Sequence, residues 1–150
     1  MTNCIFCKIV NGEIPCFKIW EDENYLAFLD INPNTKGMTL VIPKKHYDSD
    51  LFKMEDEEYT NFLLVLKKIV TILKKGLKVK RVAMVMEGMG GNHVHIKLYP
   101  LHGLEKDFEK MGTDETVYFD KYEGYISTKL GPKADMEELK RLSEKLSSID

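Results

Sequence analysis

Cysteine is scarce in this chain, three in 150 residues, and the number is odd. A disulfide framework needs pairs and an oxidising compartment, so a disulfide-stapled secreted scaffold is excluded. No apolar run approaches the length that spans a bilayer. The N-terminus has neither the charged start nor the apolar core of a secretory signal. A cytoplasmic protein with reduced thiols and no membrane partner is therefore expected. Charge of one sign is missing too: 22 Lys and Arg against 24 Asp and Glu leave a formal net charge of -2. A duplex binder carries a basic excess, so bulk nucleic acid is not an expected partner. Internal repeats and low-complexity segments are also absent. What is present, 43% hydrophobic and 31% charged residues, suits one soluble domain with its own core.

Cys4 to Val10 reads as a short helical turn stopped near Asn11-Gly12, with Pro15 beyond it. Phe17–Trp20, Tyr25–Leu29, Met38–Ile42 and Val82–Met86 read as strands. A long helix is predicted from about Glu55 to Lys75: acids open it, Lys74 and Lys75 close it, and Gly76 stands at the C-cap. Phe62, Leu66, Ile69 and Leu73 form its core stripe. Leu64, Val65 and Ile72 widen the stripe beyond one core face, which fits either deep burial or a subunit contact. Further on, Val117–Phe119 and Tyr125–Thr128 are expected as strands, and Ala134 to Leu146 as an amphipathic helix. The order β-β-β-α-β-β does not alternate regularly, so an antiparallel α+β sheet is expected rather than a doubly wound one.

The densest chemistry lies in His93-Val94-His95-Ile96-Lys97-Leu98-Tyr99-Pro100. Its alternation is that of a strand with Val94, Ile96 and Leu98 on one face and His93, His95, Lys97 and Tyr99 on the other. Such a row of imidazoles and an ammonium suits phosphate chemistry, though an exposed polar strand face reads the same way. The glycines ahead of it (Gly88, Gly90, Gly91) let backbone amides approach a ligand. Cys4-Ile5-Phe6-Cys7 fits one edge of a tetrahedral zinc site, and equally a redox dithiol or a coincidence. His46 and His93 are the candidate remaining ligands. Asp30, straight after an apolar strand, suits the two hydroxyls of a ribose or an Asx turn leading to Pro33. Lys44 and Lys45 suit phosphate attraction or plain solvation, and His102, just past the strand, suits a supporting role at the site or a surface position.

Cys4-Ile5-Phe6-Cys7-Lys8-Ile9-Val10, Gly12-Glu13-Ile14-Pro15 and Ala27-Phe28-Leu29-Asp30-Ile31-Asn32-Pro33 stand in an order and spacing that resemble the histidine-triad (HIT) superfamily of nucleotide hydrolases and transferases. Thr39 to His46 and His93-Val94-His95-Ile96 with Pro100 extend the similarity, which runs from about Cys4 to Pro100. The resemblance implies a five-stranded antiparallel sheet with a long helix, paired as a homodimer. A HIT-like domain is expected over residues 1–103, followed by a C-terminal extension, 104–150, packed on the same domain and ending in a helix; the resemblance does not reach that extension. It implies that His95 attacks the phosphorus of a nucleoside phosphate derivative, giving a nucleotidyl-histidine that water resolves. Asp30 would anchor the ribose, Gly90, Gly91 and Asn92 would line the nucleotide site, and Cys4, Cys7, His46 and His93 would hold a structural zinc. The family pattern has a third histidine where this chain has Lys97, a further histidine at Met38, and an asparagine at Met86; its glycine loop is longer. Lys97 is then a phosphate or leaving-group contact. The expected function is a nucleotide hydrolase or nucleotidyl transferase acting on a phosphoramide or phosphoanhydride. The alternatives are a catalytically weak or inactive zinc-containing nucleotide or anion binder and, third, a thiol redox protein using Cys4 and Cys7.

Overall fold

In the computed structural model, residues 3–108, 110, 115–124, 126, 133, 135 and 137 are described. The chain divides into two units, Met1–Glu109 and Lys110–Asp150. The first holds α1 (Ile5–Val10), β1 (Phe17–Glu21), β2 (Tyr25–Leu29), β3 (Thr39–Pro43), α2 (Asp56–Leu77), β4 (Arg81–Val85) and β5 (Ile96–Leu101), with a 3₁₀ turn at Leu51–Lys53. The strands form one antiparallel sheet in the order β1-β2-β3-β5-β4, the α+β architecture expected.

Both faces of this sheet are covered, and the central strands show it in their composition. Tyr25, Leu26, Ala27 and Phe28 of β2 are all buried. Successive strand residues point to opposite faces, so Tyr25 and Ala27 turn to one side and Leu26 and Phe28 to the other. Tyr25 and Ala27 join Val41, Ile96 and Leu98 under α2, which inserts Phe62, Leu66, Ile69 and Leu73. Tyr25 and Phe62 stack there with ring centroids 5.4 Å apart. Leu26, Phe28 and Ile42 form a second cluster, packed by Phe6, Ile9 and Val10 of α1.

The core stripe of α2 is the one the sequence predicts, but the helix ends later. Gly76 lies within it, and the left-handed cap is Lys78 at φ 55°. Tertiary packing outweighs the local stop signal: Leu77 continues the apolar stripe into the core, and its side chain fills the space a Cβ on Gly37 would need. Leu64 and Ile72 remain exposed on α2, so deep burial within this unit does not account for them.

In the second unit, Val117–Phe119 is irregular and forms no strand, because no neighbouring segment among the described residues pairs with it. Tyr125, Ser127 and Thr128 lie outside the described residues, as does most of the expected helix from Ala134 to Leu146. Among the described residues, no helix is long and apolar enough to cross a membrane.

Candidate functional site

The alternation read at His93–Tyr99 is real, with two corrections. Val94, Ile96 and Leu98 do enter the α2-side core. His93, Val94 and His95, however, precede β5, which begins at Ile96. The polar row is also buried rather than exposed: His93 is 0%, His95 4% and Lys97 8% accessible. His93 and His95 are covered by Phe6 of α1, whose ring centroid lies 5.7 Å from His93 and 5.2 Å from His95. Gly91 admits that ring, since a Cβ there would stand 3.1 Å from Phe6 Cε2. Phe6 escaped sequence reasoning because nothing local distinguishes it from the other apolar residues of its turn.

The same short helix brings two thiols to the sheet. Cys4 is its N-cap, and the Sγ accepts a hydrogen bond from the Cys7 N–H at 3.4 Å. Cys4 Sγ lies 3.4 Å from His93 Nδ1, and Cys7 Sγ lies 3.2 Å from His46 Nδ1 and 3.6 Å from His93 Nδ1. The two imidazole nitrogens are 3.2 Å apart. All four donor atoms fall within 4.8 Å of one another. A tetrahedron of zinc–sulfur and zinc–nitrogen bonds has edges of about 3.3 Å between nitrogens and about 3.5 Å between nitrogen and sulfur. The nitrogen–nitrogen separation and these three nitrogen–sulfur separations match those edges, so the residues fit a closed Cys₂His₂ metal site.

Hydrogen bonds behind the cluster aim its ligands. His93 Nε2 lies 2.9 Å from the carbonyl of Pro43, an atom that only accepts. The proton is therefore on Nε2, and Nδ1 turns a lone pair to the thiols. Burial pushes the His93 imidazole below its ordinary pKa, against the raising effect of that hydrogen bond, which favours the neutral ligand form. Burial, and then neighbouring Cys4, raises the Cys7 thiol; this is the cost that a bound cation would offset. Behind His46, Nε2 faces Asp48 at 3.8 Å.

His95 uses its opposite nitrogen. Its Nδ1 lies 2.7 Å from the His93 carbonyl, so the proton is on Nδ1 and the lone pair on Nε2. Lys97 pairs with Glu87 at 2.7 Å in a nearly buried ion pair that the sequence reading did not foresee. Position parity contains the signal: Val85 faces Lys97 across β4 and β5, and Glu87 is two residues beyond Val85.

Asp30 ends β2 and forms the Asx turn, its Oδ1 accepting the Asn32 N–H at 2.7 Å. Asn92 is spent on the loop: its amide donates to Asp48 at 2.9 Å and accepts the Ser49 N–H at 3.0 Å. Gly88 at φ +70° approaches so closely that a Cβ would meet the Ser49 carbonyl at 2.7 Å. Gly90 at φ +90° has open space around it. Met38 is buried, and Met86 packs on the α2-side core. Lys44 pairs with Glu21 and Lys45 with Glu58. His102 is exposed and reaches the Lys36 carbonyl at 2.8 Å.

Residues 11–102 match the family model described as the HIT domain. An uncharacterised HIT-like protein of Methanocaldococcus jannaschii is 45% identical over 121 residues, covering 78% of this chain and 93% of that protein. The adenosine 5'-monophosphoramidase of Schizosaccharomyces pombe is 35% identical over 147 residues, 97% of each chain. Among solved structures, a protein of Streptococcus mutans superposes with a TM-score of 0.72 at 32% identity, covering 98% of this chain and 85% of that one. The chain belongs to the HIT family.

Proposed function

We propose that this protein is a nucleotide hydrolase or nucleotidyl transferase that uses His95 as its nucleophile. Its substrate class is a nucleoside phosphate joined to an amine or to another phosphate. One observation carries the reading: the hydrogen bond from His95 Nδ1 to the His93 carbonyl leaves Nε2 as the basic nitrogen. The phosphoramidase name of the fission-yeast relative supports the substrate class.

In the first step Nε2 bonds to phosphorus while the bond from phosphorus to the leaving group breaks. The leaving group takes that electron pair and a proton from water. The ring, now substituted at Nε2 and still protonated at Nδ1, becomes cationic, and the His93 carbonyl stabilises it. Water then attacks phosphorus, the bond to Nε2 breaks, and the released proton goes to solvent. Lys97 supplies positive charge to the phosphate oxygens, Gly90 and Gly91 offer backbone amides, and Asp30 takes the ribose through its Oδ2. Asn92 contributes by shaping the loop.

Zinc is the proposed occupant of Cys4, Cys7, His46 and His93. Ligated wholly by protein, it would staple α1 to the sheet and offer no open position for substrate. The reading includes a cytoplasmic homodimer, with Leu64 and Ile72 of α2 as the apolar residues a second copy would cover; sedimentation at micromolar concentration tests it.

The deciding experiment is a reaction with a phosphorus-labelled adenosine 5'-phosphoramidate and with dinucleoside polyphosphates, quenched in alkaline detergent because a phosphorus–imidazole bond is hydrolysed by acid. Label should appear on the wild-type protein and be absent from His95→Ala. Turnover that survives His95→Ala rules the mechanism out. Binding of AMP without turnover of any substrate would instead establish the anion-binding alternative.

A further inference from the structure

Lys97 and Glu87 expose only 10% and 5% of their side chains, yet their charged ends meet at 2.7 Å. Taking two charges out of water is costly, and apolar side chains of similar volume often stabilise such a position better. Stability alone is therefore a poor reason for an ion pair here, and its location supplies a better one. Val85 and Lys97 form the last pair of the β4–β5 ladder. Glu87 lies two residues beyond Val85 and His95 two before Lys97, so both adjoin the end of that ladder. Carboxylate, ammonium and imidazole thus share one corner of the sheet's α1 face.

We propose that Glu87 and Lys97 act as one unit: Glu87 is a positioning residue that keeps the Lys97 ammonium charged and aimed at the phosphate whose phosphorus meets His95. This rests on the reading of His95 as nucleophile. A lone amine in an apolar interior tends to lose its proton, and a four-carbon stem has no preferred direction of its own. The Glu87 carboxylate removes both difficulties. The Glu87 carboxylate also offsets the charge that the buried ammonium carries.

The test is a cycle of Glu87→Gln, Lys97→Met and the double variant, read by melting temperature, by kcat and KM on a phosphoramidate, and by the Kd for AMP. Each single variant should melt below wild type, because it strands a buried charge. The double variant should recover most of that loss. Activity should behave differently. Lys97→Met should lower kcat about 100-fold, as loss of one preorganised charge contact does. Glu87→Gln should lower kcat about tenfold with little change in KM, the size of effect expected between directly contacting residues. In the Lys97→Met background, Glu87→Gln should cost nothing further.

A double variant that regains activity along with stability would make the pair merely structural and overturn the proposal. So would an equal cost of Glu87→Gln in both backgrounds. If wild type turns over no substrate, the hydrolase reading fails separately. The AMP series still decides the coupling: weaker binding in both single variants with no further loss in the double supports it, and additive losses overturn it.

Discussion

His93 serves two centres at once: its ring nitrogen Nδ1 faces the thiols of Cys4 and Cys7, while its backbone carbonyl accepts the hydrogen bond from His95 Nδ1 at 2.7 Å. The proposed metal ligand and the proposed nucleophile are therefore held by one residue. Displacing the ring of His93 moves the atom that sets the His95 tautomer. Phe6, which touches both rings from α1, extends the same linkage to the helix that carries the cysteines.

Loss of a metal ligand should consequently be felt at His95. Cys7→Ser is expected to weaken zinc binding at least tenfold, with a fall in melting temperature, since binding to a site assembled by folding contributes directly to stability. Metal content by plasma mass spectrometry and thermal melts with and without a chelator check this. Wild-type protein should carry one zinc per chain. A chain purified without stoichiometric metal, and indifferent to chelator, would contradict the expectation.

Acid should release the metal and destabilise the fold together. The imidazole of His93 is pushed below its ordinary value of 6.5 in the folded protein, first by burial. The unfolded chain therefore binds the proton more readily, and stability rises with pH across this range. The contribution is complete above about pH 6.5 and is lost as pH falls through the folded value. Glu21 is held down to about 2 by Lys18 and Lys44, so it stays ionised throughout and does not obscure the result. Release into a colorimetric chelator between pH 7.5 and 5, followed beside circular dichroism, measures both effects. A flat response across that window would refute the assignment.

The glycine loop offers a contrast between two residues with positive φ. Gly88→Ala forces a Cβ against the Ser49 carbonyl at 2.7 Å as well as into a strained backbone region. Gly90→Ala meets only the backbone strain, because nothing lies within 4 Å. A cost of roughly 1–3 kcal/mol is expected from strain alone, and Gly88→Ala should exceed Gly90→Ala by at least about 1 kcal/mol. Urea unfolding of both variants gives the comparison. Equal losses would show that the loop relaxes away from Ser49.

Truncating Phe6 should injure the site more than the fold. Phe6→Ala removes a half-buried ring from the α1-side cluster, so a cost near the lower end of the buried range, about 3 kcal/mol, is expected. Phe6→Leu, which keeps most of the packing, should cost less than about 1.5 kcal/mol. Both variants uncover His93 and His95. Metal retention and the rate of label transfer to His95 should fall in Phe6→Ala and largely recover in Phe6→Leu. Full activity in a folded Phe6→Ala protein would remove Phe6 from the site.

Much of this was legible because it is local. Strand periodicity alone separates Val94, Ile96 and Leu98 from His93, His95 and Lys97. Helical spacing alone selects Phe62, Leu66, Ile69 and Leu73, all of which are buried. The Asx turn at Asp30 follows from a side chain that bonds its own backbone two residues on. Local rules failed where a distant segment intervened. Gly76 carries a stop signal, but Leu77 finds a place in the core and prolongs α2. Val117–Phe119 has strand composition and no partner among the described residues, and a strand without a partner leaves its backbone groups unpaired.

The sequence by itself determined most of the inventory: the strands and helices of residues 5–101, the faces they present, and which side chains could bind metal or meet phosphorus. Only the tertiary structure decided what those side chains touch. The cover over His93 and His95 depends on α1 docking across the sheet, and the meeting of Cys4 and Cys7 with His46 and His93 depends on the same event. The Glu87–Lys97 pair depends on the register between β4 and β5. Periodicity is a property of neighbouring residues and can be read along the chain. Contact between residues far apart depends on the summed packing of both sheet faces, which no single stretch encodes.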